Sequence, residues 1–198
     1  MEEKNKKIVG IIATVLVIVL SIFSLYRGNK EKPKKINEIE IGKDEQNSIV
    51  GKKIPEFKLN NLKGEEITDK VFNDYELTIV PMWQSTCSPC ITELEALNKI
   101  HKEYKDSGVN VLGIVIDGEV NEAAAKKVVD TIEIEFNNIV PDEDYIYKLI
   151  EFAQSTPTAF FIDNKGNFLM KPKEGTSGMD KDIEEFKAII EKLTSSRD

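Results

Sequence analysis

The sequence predicts an α/β fold, a mixed central sheet with helices on both faces, preceded by an N-terminal membrane helix. Three observations carry this. The apolar runs ELTIVPMW (76–83) and VNVLGIVID (109–117) bracket a segment with apolar residues at helical spacing. Strand, helix, strand in that order implies two parallel strands with a right-handed crossover. TAFFID (158–163) and NFLMKP (167–172) are joined by Asn164-Lys165-Gly166, a hairpin signal that adds antiparallel strands to the same sheet. Finally, residues 8–26 contain no charged side chain.

That last stretch, IVGIIATVLVIVLSIFSLY, is roughly 28 Å long as a helix, about the hydrocarbon thickness of a bilayer. Residues 1–7 form a basic lead-in with Lys4, Lys6 and Lys7. The apolar segment is long for a signal peptide, lacks a clear A-x-A cleavage site and has no Cys to accept a lipid, so it reads as an uncleaved anchor. Arg27, Lys30, Lys32, Lys34 and Lys35 follow it, so basic residues on the two flanks do not fix its orientation. Residues 27–49 are polar and aperiodic, a tether, and residues 50–198 form the folded domain.

Within that domain, EFKLNNL and EEITD flank Lys63-Gly64 as a hairpin does. After the 76–83 strand, Ile91, Leu94, Leu97, Ile100 and Tyr104 mark a helix that Gly108 ends. EAAAKKVVDTI reads as a helix, FNNIVPD as a short strand or edge, and DEDYIYKLIEFA as a further helix. A last amphipathic helix runs from about Asp180 to Thr194.

Charge is unevenly placed. Residues 1–35 carry a net +5 and residues 36–198 a net −13. So acidic a body repels phosphate backbones, which excludes nucleic acid as a partner class. The two cysteines, Cys87 and Cys90, are too few for a disulfide-built scaffold. They are also too few for a zinc site, which takes about four ligands. The single histidine, His101, lies 11 residues beyond Cys90 on the same helix, about 16 Å along its axis, so it reads as a helix residue. No metal or other cofactor is expected.

A reactive pair fits better. With Cys87 at the end of a strand and the start of a helix, free N–H groups and the helix dipole stabilise a thiolate. Pro89 suits the first turn, where its missing N–H costs nothing. Cys90 sits one turn along, close enough for a Cys87–Cys90 disulfide, and would resolve a mixed disulfide formed on Cys87.

At these residues the sequence resembles a known family. MWQSTCSPCITELEAL is similar to the F-W-A-x-W-C-x-P-C-x-x-E-x-P-x-L segment of TlpA/ResA-like thioredoxin-family proteins, and STPTAFFIDNKGNFL to their P-T-x-F-x-I-D-x-x-G-x-I segment. The likeness covers about residues 50–195. It implies a thioredoxin-like fold in a single-pass membrane protein whose catalytic domain lies outside the cytoplasm, exchanging thiols and disulfides. Cys87 then matches the attacking cysteine, Cys90 the resolving one and Pro157 the cis-proline beside the disulfide. Thr156 offers its backbone to a substrate strand. Glu93 matches an acidic residue three positions after the second cysteine, placed to move a proton, though a Glu that merely complements the helix dipole would look alike. Trp83 matches the family's first tryptophan, a wall of the substrate site, though a core residue would look the same.

The partners this implies are an exported protein bearing a disulfide, with cytochrome c maturation one setting, and a membrane thiol carrier as electron donor. The protein itself is expected to be a monomer. Two departures stand out: Thr86 replaces the usual aromatic before the first cysteine, and Pro81 falls inside what should be a central strand, where a proline is expected at a bulge or where the strand begins. Two other functions compete. One is a peroxiredoxin-like peroxidase, which PMWQSTC imitates in part, although the only arginines, Arg27 and Arg197, lie in tether and tail. The other is a tethered, non-enzymatic binding module whose cysteines lock a helix end.

Overall fold

The computed structural model describes residues 49–195. The anchor and most of the tether expected at residues 8–49 lie outside the described residues. Among the described residues no helix is long and apolar enough to cross a membrane.

The chain runs β1 (Lys58–Asn61), β2 (Glu66–Thr68), β3 (Leu77–Trp83), α1 (Ser88–Tyr104), β4 (Val109–Val115), α2 (Glu122–Thr131), β5 (Asn137–Val140), α3 (Glu143–Leu149), β6 (Thr158–Asp163), β7 (Lys173–Glu174) and α4 (Met179–Ser195). The strands form one sheet in the order β2-β1-β5-β4-β3-β6-β7. β3, β4 and β5 are mutually parallel, whereas β1 and β6 join antiparallel on either side. This is the mixed sheet expected from the strand–helix–strand unit and the later hairpin.

β3 and β4 are buried along their whole length, the signature of central strands covered on both faces. Val80, Met82, Leu112, Ile114, Phe160 and Ile162 point to one face, where Tyr145 and Leu149 of α3 join them. Phe161 points to the other and meets Phe186 of α4, ring centroids 6.2 Å apart. Leu94, Leu97 and Ile100 of α1 are fully buried, which accounts for the helical spacing in the sequence. Gly108 adopts φ 79°, a left-handed conformation that glycine takes without penalty, and this turns the chain from α1 into β4.

Four features differ from expectation. Pro81 sits at neither a bulge nor a strand start. β3 pairs with β4 at Leu77–Ile79 and again at Met82–Trp83 without a change of register, and Pro81 faces Ala159 of β6. The strand tolerates the proline because its flanking pairs hold it on both sides. Residues 136–142 hold the expected short strand, Asn137–Val140, but not as an edge, since β5 lies between β1 and β4. NFLMKP is not a strand. It returns on β6 through the bridge between Phe168 and Ile162, with the Leu169 amide donating to the Phe161 carbonyl at 2.8 Å and the Asp163 amide to the Asn167 carbonyl at 3.0 Å. Asn167 also bridges to Lys53, and the Phe168 amide donates to the Lys52 carbonyl. β6 instead finds its edge partner in β7.

The helix at 143–149 is shorter than its apolar pattern. Phe152 and Ala153 extend the pattern because they pack on the same core after the helix has ended.

Candidate active site

β3 ends at Trp83, and the turn Gln84–Thr86 delivers Cys87 to the N-cap of α1. Two bonds to Asp117 clamp this turn: the Ser85 amide donates to Oδ1 at 2.9 Å and the Ser85 hydroxyl to Oδ2 at 2.6 Å. Asp117 follows β4, so the two central parallel strands jointly position the cysteine loop.

Cys87 and Cys90 are joined by a disulfide, with Cα atoms 5.2 Å apart. The Cys90 amide donates to Cys87 Sγ at 3.2 Å, so one of the helix's free N–H groups already points at that sulfur. Such a donor stabilises negative charge, which favours Cys87 as the thiolate when the pair is reduced. Cys87 is partly exposed, whereas Cys90 is fully buried. A substrate sulfur therefore has access to Cys87 alone.

The Thr156–Pro157 peptide bond is cis. Thr156 lies beside the disulfide, its carbonyl oxygen 4.0 Å and its hydroxyl oxygen 3.9 Å from Cys87 Sγ. Thr156 also lies outside the β6 ladders, which begin at Thr158. A cavity of about 580 Å³ opens next to it, with Met82, Ile116, Ile146 and Leu149 in its lining and Gln84 and Gln154 among its polar groups. The sequence did not mark this cavity, because its walls come from segments far apart along the chain.

Glu93 is 1 % exposed and sits in the second turn of α1. A carboxylate that only complements the helix dipole would be solvated and nearer the end, so burial speaks against that alternative. Its Oε1 accepts from Lys173 Nζ at 3.0 Å. Burial, only partly opposed by that ammonium, pushes the Glu93 carboxyl up to about 7.

Trp83 is fully buried, and its indole N–H donates to Asn138 Oδ1 at 3.0 Å. It presents no surface to a substrate. Its expected place among the substrate-binding residues is thus not where the structure puts it. The ring needs a buried partner for its N–H, and Asn138 provides one on the core side. His101 is half-buried on α1 and packs edge-on against Phe136; burial lowers its pKa.

Sequence reasoning missed Lys173 and Asp182. Lys173 lies in a two-residue strand, and Asp182 looks like an ordinary first-turn acid. Neither has a local signal, since their meeting with Glu93 is purely tertiary.

Comparison with known proteins agrees with this geometry. The chain is 25% identical over 171 residues to the thiol-disulfide oxidoreductase ResA of Bacillus thuringiensis subsp. konkukian, covering 86% of this chain and 90% of that protein. It is 26% identical over 122 residues to the thiol:disulfide interchange protein DsbE of Haemophilus influenzae, covering 61% of this chain and 64% of that one. Among solved structures, a putative DsbE from Chlorobium tepidum superposes with a TM-score of 0.60 at 23% identity, over 71% of this chain and 96% of that one, which shows the shared thioredoxin-like fold. The AhpC/TSA family profile matches residues 50–169, more than half of the chain, and the protein belongs to the AhpC/TSA family.

Proposed function

We infer that this protein is a thiol–disulfide oxidoreductase that reduces disulfides in exported polypeptides. The observation that carries this is the Cys87–Cys90 disulfide at the start of α1, with one sulfur accessible, one buried, and Thr156 alongside.

In the reduced protein, the Cys87 thiolate attacks one sulfur of a substrate disulfide. A mixed disulfide forms, and the displaced substrate sulfur leaves and takes up a proton. Cys90 then gives its proton to the Glu93 carboxylate and attacks Cys87 Sγ. This forms the Cys87–Cys90 disulfide and releases the second substrate thiol. Two electrons pass from the protein to the substrate, whose two sulfurs take their protons from solvent while the Cys90 proton stays on Glu93. A dithiol donor must restore the protein, and Glu93 returns the proton to Cys90 in that half. A group near pKa 7 suits both directions, since it is neither permanently charged nor permanently neutral at neutral pH.

The Thr156 backbone and the adjoining apolar cavity support a polypeptide substrate, an extended strand with an apolar side chain beside its cysteine. The uncharged residues 8–26 support a single membrane anchor, and disulfide exchange is useful where disulfides persist, outside the cytoplasm. The donor is then a membrane dithiol carrier.

Insulin reduction driven by a dithiol, measured beside hydrogen peroxide consumption, tests the activity. Insulin turnover that disappears in Cys87→Ser supports it. Peroxide consumption alone would favour a peroxidase, and neither activity a binding module. A membrane-impermeant thiol reagent tests topology: Cys87 should label in intact cells, and labelling only after lysis would reverse the orientation.

A further inference from the structure

Behind the disulfide lies a cluster of buried charges that the cysteine chemistry does not by itself require. Lys173 is 7 % exposed and Asp182 fully buried. The Lys173 ammonium bridges Glu93 Oε1 at 3.0 Å and Asp182 Oδ1 at 3.2 Å, and donates to the Gly175 carbonyl at 2.6 Å. The Thr176 hydroxyl and the Ser177 amide hold Asp182 in turn, the amide at 3.0 Å. The Gly175 amide donates to the Pro157 carbonyl at 2.8 Å. The three charged groups come from α1, β7 and α4, and the cluster is bonded through Gly175 to the proline beside the disulfide.

Paired burial of this kind is costly to maintain and seldom the most direct route to stability, since apolar side chains of similar volume fill such space as well or better. A role in the chemistry gives it a reason.

We propose that Lys173 and Asp182 are positioning residues for the exchange reaction, holding the Glu93 carboxyl on α1 about one helical turn from Cys90 and setting how readily it trades a proton with that sulfur. This rests on Glu93 being the proton carrier. The charged groups that bear on Glu93 are Lys173 from β7, with Asp182 and the more distant Glu185 from α4. The lysine favours the carboxylate and the two acids favour the carboxylic acid, so the balance is adjustable from either side. Lys173 keeps its own charge, because Glu93 and Asp182 outweigh the burial that opposes it.

Three variants of the protein test this: Lys173→Met, Asp182→Asn and Glu93→Gln. Glu93 titration is followed in the oxidised protein through its isotope-labelled side-chain carboxyl by NMR. The rate at which pre-reduced protein is oxidised by a small neutral disulfide is followed across a pH range of about 5.5 to 9, wide enough to span both the carboxyl and an ordinary thiol. Removing the cation should move the Glu93 midpoint to higher pH by roughly one unit or more, and removing the second acid should move it lower. The rate profile should move with each.

Midpoints that stay put, or that shift in the same direction in both variants, would overturn the proposal while leaving Glu93 as the carrier. So would midpoints that move without the rate profile. A Glu93→Gln protein with an unchanged rate profile would remove the carrier reading itself, and the proposal with it. Should Lys173→Met fail to fold, Asp182→Asn still decides the question by the direction of its shift, and Glu93→Gln with Lys173→Met removes the strain of an unbalanced carboxylate. In that double variant the rate profile should match Glu93→Gln alone, and a further shift would show that the lysine acts by another route.

Discussion

Replacing Glu93 with Gln should stabilise the oxidised protein at pH 8 relative to pH 4, by comparison with the parent. In the folded chain the carboxyl is raised from 4.5 to about 7, chiefly by burial. Below the unfolded value, folded and unfolded chains both hold the proton and the group is silent. As pH rises from there through about 7, the unfolded chain ionises first, so the parent loses stability over that window. The gap is about 2.5 pH units, and at about 1.4 kcal/mol per unit the loss is about 3 kcal/mol, complete above pH 7. Gln carries no proton to lose, so its stability lacks this slope.

For a domain of this size, 1 kcal/mol moves the melting temperature by about 2–4 °C, so the difference in Tm between variant and parent should grow by roughly 10 °C from pH 4 to pH 8. Thermal denaturation followed by circular dichroism at several pH values reads it. Any constant offset from the amide cancels in that comparison. A difference that is flat with pH would show that Glu93 titrates normally. A difference of opposite sign would show that Lys173 stabilises the carboxylate by more than burial costs it, and would refute the reasoning.

Cys90→Ser should accumulate mixed disulfides between Cys87 and substrate, visible as reductant-sensitive bands on non-reducing gels, whereas the Cys87→Ser, Cys90→Ser double variant should show none. Gly113→Ala should destabilise the domain by about 1–3 kcal/mol, because a methyl group there would collide with Asn138 Oδ1 and press on Trp83 Nε1 at 3.2 Å. Denaturant unfolding read on the fluorescence of the single tryptophan reports both the loss and the disturbed Trp83–Asn138 bond. The redox midpoint should lie near that of thioredoxin, about −270 mV, because the acidic domain opposes an extra negative charge at the cysteines. A value near about −120 mV would place the protein among strong oxidants and contradict a reducing role.

Much of this was legible in the chain itself. Local chemistry specified the C-x-P-C helix start: Pro89 fits only a first turn, and a cysteine before it becomes the cap. Apolar runs without alternation announced β3 and β4 as central strands, and Gly108 announced the end of the helix between them. These are short-range matters, in which a residue's own backbone preference and the spacing of its neighbours decide the outcome.

What only the tertiary structure decided involves residues far apart in sequence. Trp83 turned inward to Asn138, 55 positions on, rather than outward to a substrate. The short strand Asn137–Val140 became interior because β1, from the start of the domain, pairs along its outer side. Lys173, one exposed-looking lysine among many, became a buried counter-charge to Glu93, 80 positions earlier, and to Asp182. An ionisable side chain reacts to whatever the fold brings within a few ångströms, and no pattern along the chain records those distances.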